Sequence, residues 1–161
     1  VPSNKDRFLR KETLQGFVHD EASAFFGGLA GNAGLFSTAR DVARVYQMLL
    51  NGGEIDGQRY LSKETCQLFT TEISKISRRG LGFDKPDADD PKKGNCAPAA
   101  PAEVYGHTGF TGTCAWVDPM NELVYVFLSN RIYPDVTNRK LNQLHIRERI
   151  QGAIYDAMKK K

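Results

Sequence analysis

Gly106-His107-Thr108-Gly109-Phe110-Thr111-Gly112-Thr113 runs straight into Cys114-Ala115-Trp116-Val117-Asp118, and a little further on comes Leu123-Val124-Tyr125-Val126-Phe127-Leu128-Ser129. Residues 113–117 and 123–129 are rich in β-branched and aromatic side chains. They are separated by Asp118-Pro119-Met120-Asn121-Glu122, so together they predict a β-hairpin. In the second strand Leu123, Tyr125 and Phe127 point one way while Val124, Val126 and Leu128 point the other. Both faces are apolar, which places the strand within a sheet covered on both sides, normally by helices. The fold class that follows is α+β, an antiparallel sheet with helices packed on it.

Working outward, Ile146, Ile150, Ala153, Ile154 and Ala157 form a helical stripe suited to covering one face of that sheet. Leu141 and Leu144 fall off the stripe, so the start of this helix is left open. Upstream, the segment from Asp84 to Ala102 carries Pro86, Pro91, Pro98 and Pro101 among charges and small residues. Structureless stretches of that length are uncommon inside a domain, and a flap or disordered excursion is expected there. Gly80-Leu81-Gly82-Phe83 is expected to start a strand. The clearest helix begins at Thr38, which with Asp41 fits a capping box. Val42, Val45, Tyr46 and Leu49 make its apolar stripe, Arg40, Arg44 and Gln47 lie opposite, and Gly52-Gly53 ends it. Ile55-Asp56-Gly57-Gln58 reads as a turn, and Ser62 as the N-cap of a short helix through Cys66, Leu68 and Phe69. Before all of these stands GGLAGNAGLF, with Gly27, Gly28, Gly31 and Gly34. So many glycines make a shaped loop whose backbone approaches either a ligand or another part of the chain. The reading divides residues 1–79, mainly helix and loop, from residues 80–161, sheet strands plus a C-terminal helix.

The bulk composition narrows the function classes. With 161 residues, 40% of them hydrophobic and 10% aromatic, one compact core is within reach. A charged fraction of 25% and a net charge of +3 point to neither a polyanion nor a membrane surface as partner. No basic stripe with interleaved aromatics suggests nucleic acid, and no apolar run approaches the roughly 20 residues that span a bilayer. Cys66, Cys96 and Cys114 leave two states open, one disulfide with a spare thiol or three free thiols. His19, His107 and His145 have no metal-type spacing, so neither a metal nor a cofactor is expected.

The chemistry sits at the entrance to the hairpin. GHTGFTGT places an imidazole and several hydroxyls beside glycines at a sheet edge. Histidine is the side chain that ordinarily titrates nearest neutral pH. Glycines allow a substrate to approach closely and let backbone N–H groups aim at a developing oxyanion. The plainer reading is a tight turn with a hydrogen-bonded histidine.

The order of glycine loop, helix, His107-Thr108-Gly109, hairpin and terminal helix resembles the C-terminal half of serine hydrolases of the β-lactamase and penicillin-binding-protein superfamily. In that superfamily a K-T-G triad on a sheet strand borders the active site, and some peptidases and esterases read H-T-G. GFVHDEASAFFGGLAGNAGLFSTARD, GHTGFTGTCAWVDP and VYVFLSNRIYP together resemble, more narrowly, the lactamase-like module of bacterial envelope proteins, in some cases fused behind a β-N-acetylglucosaminidase domain. The resemblance implies a partial β-lactamase/transpeptidase-like fold. It gives His107 the place of the triad lysine and Thr108 a hydroxyl in the same network. Gly109 would let a substrate lie on the strand, and the backbone N–H of Phe110 would be an oxyanion donor. Thr111, Asn32 in the glycine loop and Tyr105 at the rim are further substrate-binding candidates. Asparagine in such a loop also serves as a turn former, and Tyr105, like Trp116 and Tyr125, also suits the core.

One departure is informative. S-x-x-K is absent, because no serine is followed three residues later by lysine, and no Tyr-x-Asn precedes the glycine loop. The expectation is therefore a C-terminal fragment, residues 1–161, of one lactamase-like domain, in which the nucleophile and base belong to an N-terminal remainder and no acyl-enzyme forms on the fragment alone. Such a protein would act on a small-molecule or peptide substrate, in the periplasm or cell envelope. It would hide its uncovered sheet by pairing as a homodimer or by rearranging its N-terminal segment. Two alternatives stand beside it. One is a non-catalytic binding or assembly module with the same fold. The other is a self-sufficient hydrolase using Ser37 or Ser129 with His107. His19-Asp20 reads as either a carboxylate-oriented histidine or a capping or surface pair.

Overall fold

In the computed structural model, which describes residues 2–74, 76–90 and 94–160, the hairpin stands where its alternation predicts. Strand β1 (Asn4–Lys5) pairs with β2 (Thr13–Leu14), and a short helix α1 (Glu21–Phe25) precedes the glycine loop. Helix α2 (Ala39–Leu50) leads to a two-residue hairpin of β3 (Glu54–Ile55) and β4 (Gln58–Arg59), then to α3 (Lys63–Thr70). The main sheet comprises β5 (Tyr105–Thr108), β6 (Cys114–Asp118) and β7 (Leu123–Phe127), antiparallel in the order β5-β6-β7. Helices α4 (Lys140–Gln143) and α5 (Ile146–Met158) follow.

Local chemistry accounts for the helix starts. Thr38 caps α2 by accepting the Asp41 N–H at 3.2 Å, while its hydroxyl donates to the Asp41 carboxylate at 2.8 Å. Ser62 caps α3 through the Thr65 N–H at 3.1 Å. The turn between β6 and β7 is held by Asp118, whose Oδ1 accepts the N–H groups of Met120 and Asn121 at 2.9 and 3.1 Å.

Register fixes which side chains share a face. Gly106 pairs with Trp116, and Trp116 with Tyr125. On that face Trp116 and Tyr125 join Cys96, Val104 and Cys114 in the core cluster, with Ile154 of α5 packed against it. Fully burying side chains of this size contributes roughly 1.5–3 kcal/mol apiece. On the opposite face Tyr105 meets Phe83 edge-on at 5.4 Å, and Phe83 meets Tyr46 of α2 at 6.2 Å. Helix α2 also contacts β6 and β7. The sheet thus has packing on both sides, but the cover on the α2 side is partial: α2 buries no residue fully, and Val124 and Val126 stay half-buried.

Three expectations are corrected. Residues 80–83 form no strand, and only a single bridge, Asp84 to Gly106, reaches the edge of β5. The described part of Asp84 to Ala102 is no flap. Asp84, Lys85, Cys96 and Ala97 are buried, and the Ala97 N–H donates to Gln151 Oε1 at 2.8 Å; Pro91 lies outside the described residues. The face that α5 buries is Arg147, Gln151 and Tyr155, while Ile150, Ala153 and Ala157 of the apolar stripe are exposed. Most of these buried polar groups are matched: Tyr155 donates to Asp118 Oδ2 at 2.8 Å and Tyr125 to the Arg147 carbonyl at 3.1 Å, while Arg147 Nε meets no partner among the described residues. The helix begins only at Ile146, because His145 adopts a left-handed conformation that breaks it from α4.

The two open questions of the sequence also close. All three cysteines are free and buried. At Gly34 the glycine loop folds on itself, since a Cβ there would lie 2.3 Å from the Gly28 carbonyl oxygen, whereas a Cβ on Gly27, Gly28 or Gly31 would meet nothing within 4 Å.

Candidate functional site

Strand β5 is an edge strand, and its hydrogen bonds alternate between β6 and the open side. Gly106 turns outward, donating to the Asp84 carbonyl at 3.0 Å and accepting the Asp84 N–H at 2.7 Å. Alternation sends the N–H and C=O of Thr108 the same way. Beyond the strand, the Gly109 N–H turns back to the Thr113 carbonyl at 2.8 Å, and the Gly112 N–H closes a turn onto the Gly109 carbonyl at 2.9 Å. The N–H of Phe110 lies in that turn, and among the described residues no acceptor meets it.

The glycines are demanded by the turn itself. A Cβ on Gly109 would sit 2.3 Å from Thr113 Oγ1, and one on Gly112 2.6 Å from Ser129 Oγ, in a backbone with φ +103°.

His107 is exposed at this edge, and Thr108, Gly109 and Thr111 are half-buried. His107 Nδ1 lies 2.6 Å from the Thr108 carbonyl oxygen. A carbonyl can only accept, so the ring hydrogen sits on Nδ1 and Nε2 has no partner among the described residues. The Thr111 carbonyl accepts the Arg131 N–H at 2.8 Å, which ties the turn to the chain leaving β7.

Two residues join this group that the motif alone does not announce. The ring of His19 stacks on Phe110 at 5.3 Å with an interplanar angle of 6°, and the Arg131 guanidinium carbon lies 4.7 Å from the centre of the same phenyl ring. Burial lowers the pKa of His19; Arg10 and Arg131 act the same way, while Asp20 and Glu21 oppose it. Asp20 is an N-cap: its carboxylate accepts the Ser23 N–H at 2.7 Å, which holds its pKa down.

The other candidates fall elsewhere. Asn32 is exposed and spends its amide locally, donating to Asp20 at 3.2 Å and accepting from the Ser23 hydroxyl at 3.1 Å. Tyr105 is buried, and it lines a cavity of about 740 Å³ between α2 and α3 to which none of residues 107–111 contributes. Burial raises the pKa of its phenol. Ser129 Oγ is buried against Gly112 with no hydrogen-bond partner among the described residues, and the Ser37 hydroxyl turns to the Thr38 carbonyl at 3.4 Å. Neither pairs with His107, which removes the self-sufficient Ser–His arrangement. Among the described residues no cluster of His, Cys, Asp and Glu could hold a metal ion, and no helix is long and apolar enough to cross a membrane.

Comparison with known proteins places this geometry. The family model described as Beta-lactamase matches residues 3–148, from the first strand through the edge motif to the start of α5. Similar curated proteins carry the name "Putative D-alanyl-D-alanine carboxypeptidase" in Escherichia coli (strain K12), Salmonella agona (strain SL483) and Salmonella typhi. Each is 36% identical over 135 residues, covering 83% of this chain and 31% of the relative. The chain therefore spans about a third of the length of these relatives. A match that runs through the glycine loop, the H-T-G edge and the hairpin makes this chain a member of the β-lactamase family of serine hydrolases, with a mixed helix-and-sheet fold to match.

Proposed function

We propose that this chain forms one wall of the cleft of a serine hydrolase that breaks an amide or ester bond through an acyl-enzyme. The observation that carries the reading is the edge at the end of β5, where the Thr108 N–H points away from β6 and, among the described residues, the Phe110 N–H meets no acceptor, beside an exposed His107 whose Nδ1 holds the Thr108 carbonyl. An extended substrate pairs with such an edge as an added strand. The Phe110 N–H is then one of two oxyanion donors, the second being the N–H of the attacking serine. One such donor is worth about 3 kcal/mol of barrier, since its hydrogen bond strengthens as charge develops.

His107 takes the place of the triad lysine, steering the hydrogen-bond network and holding a substrate carboxylate or leaving group. Thr108 adds its hydroxyl, Gly109 lets the substrate lie on the strand, and Thr111 borders the rim. Asn32 and Tyr105 bear on the substrate indirectly, through the loop and sheet they brace. The attacking serine and its lysine belong to polypeptide outside residues 1–161, and these residues alone are inactive.

Candidate substrates are β-lactams, small esters and envelope peptides. The names of the relatives favour peptides ending in D-alanyl-D-alanine, met in the periplasm or cell envelope.

The test compares the polypeptide encoded by the whole gene with residues 1–161 on a chromogenic ester and a chromogenic lactam. The reading expects turnover by the former only, with an S-x-x-K motif roughly 150 to 250 residues before His107. Turnover by residues 1–161 would refute the division of labour. A gene without S-x-x-K would favour a binding or assembly module instead.

A further inference from the structure

We propose that His19 is a positioning residue for this reaction: its ring, stacked on Phe110, holds the turn that presents the Phe110 N–H, and a buried Asp6–Arg10 pair holds His19 in turn. The inference rests on the hydrolase reading above, because it gives His19 a task only where the Phe110 amide has one.

The turn is weakly held from its own side. Phe110 lies outside the strands, the residue is 59% exposed, and its N–H has no acceptor among the described residues. Backbone bonds fix its neighbours, Gly112 to Gly109 and Arg131 to Thr111, but none fixes Phe110 itself. Against the ring of Phe110 lie the imidazole of His19 and the guanidinium of Arg131. The phenyl ring is therefore the handle by which the amide behind it is aimed.

His19 is firmly anchored at its backbone. Arg10 donates from one guanidinium nitrogen to the Val18 carbonyl at 2.8 Å and from the other to the His19 carbonyl at 3.0 Å. Its Nε pairs with Asp6 at 2.6 Å, and Asp6 is buried. On the other flank Asp20 caps α1. The ring nitrogens of His19, by contrast, make no hydrogen bond among the described residues, so the stack is what orients the ring. Burial, with Arg10 and Arg131, lowers the pKa of the imidazole against the opposing pull of Asp20 and Glu21 and so favours its neutral form. A neutral ring stacks on Phe110 without setting a second cation beside Arg131.

The test has two arms, each on His19→Ala and His19→Phe. Amide hydrogen exchange on residues 1–161 should show the Gly112 and Arg131 N–H groups exchanging about 2- to 10-fold faster in His19→Ala, the range an aromatic pair supports. His19→Phe keeps a flat ring and should restore protection, and the amides of β6 and β7 should not respond to either change. In the polypeptide encoded by the whole gene, His19→Ala should lower kcat on a chromogenic ester by a similar about 2- to 10-fold with KM unchanged, because an oxyanion donor acts in the transition state. His19→Phe should restore kcat. Unchanged exchange at Gly112 and Arg131 in His19→Ala would overturn the proposal and leave the hydrolase reading standing. Restored exchange without restored kcat in His19→Phe would also overturn it, pointing to proton transfer by the imidazole. A wild-type polypeptide with no turnover would overturn the hydrolase reading, and the task assigned to His19 would fall with it.

Discussion

Four hydrogen bonds converge on the Asp6 carboxylate: the N–H groups of Phe8, Leu9 and Arg10, and Arg10 Nε. The Arg10 guanidinium holds this carboxyl far below the usual carboxylate range; burial opposes the shift and the three amides reinforce it. A depressed folded-state pKa stabilises the fold at any pH above the unfolded value, roughly 3.9 for aspartate, and the contribution is lost as pH falls towards the folded value. Acid unfolding below about pH 4 should therefore be less steep in Asp6→Asn, and the variant should cost roughly 1–3 kcal/mol at pH 7 through the lost charge-assisted bond. Denaturant titrations of both proteins across that range would check it. At Gly112, Ala meets Ser129 Oγ in a backbone that L residues rarely adopt, and a loss of roughly 1–3 kcal/mol in thermal unfolding is expected. The H-T-G triad and its glycines are legible at this scale because they are contiguous. His19 is not: a ring stack between residues so far apart in the chain leaves no local pattern, and His19-Asp20 read alone shows only the cap that Asp20 provides.

Gln151 shows what an element can conceal. Its amide oxygen accepts the Ala97 N–H from deep in the segment that proline content marks as a flap. Gln151→Ala would leave that buried N–H unmet and should destabilise by roughly 1–3 kcal/mol. Faster amide exchange confined first to residues 94–100 would mark the released segment. Hydropathy could not find this contact. The buried face of α5 is built from Arg147, Gln151 and Tyr155, whose partners include backbone groups, Asn142 and Asp118, so Ile150, Ala153 and Ala157 of the apolar stripe point instead to the exposed side. The hairpin is legible because its period of two is local, and so are the Thr38 cap and length of α2; its stripe is legible only in part, since Val45 is exposed and Gln47 half-buried. The Asp84 bridge to β5 depends on a long-range edge contact and leaves no local pattern, and the strand expected at residues 80–83 does not form.

Across the molecule many apolar side chains are left uncovered, and one group of them lies around α1 and the glycine loop: Phe25, Phe26, Leu29 and Leu35 are 76 to 86% exposed. Exposed apolar surface of this kind seeks a partner. Residues 1–161 should bind an apolar dye and self-associate, and light scattering on a dilute sample that shows only a dye-silent monomer would contradict this. The wider account turns on one hydrogen-bond donor, the Phe110 N–H, and a pair of substitutions isolates it. Phe110→Ala keeps the N–H and removes the ring, whereas Phe110→Pro removes both. The measurement is the rate of covalent acylation of the polypeptide encoded by the whole gene by a β-lactam or activated ester, followed by mass spectrometry. We predict an adduct on a serine outside residues 1–161, formed about 10²- to 10³-fold more slowly in Phe110→Pro than in Phe110→Ala; equal rates in the two variants would contradict the placement of the cleft at this edge.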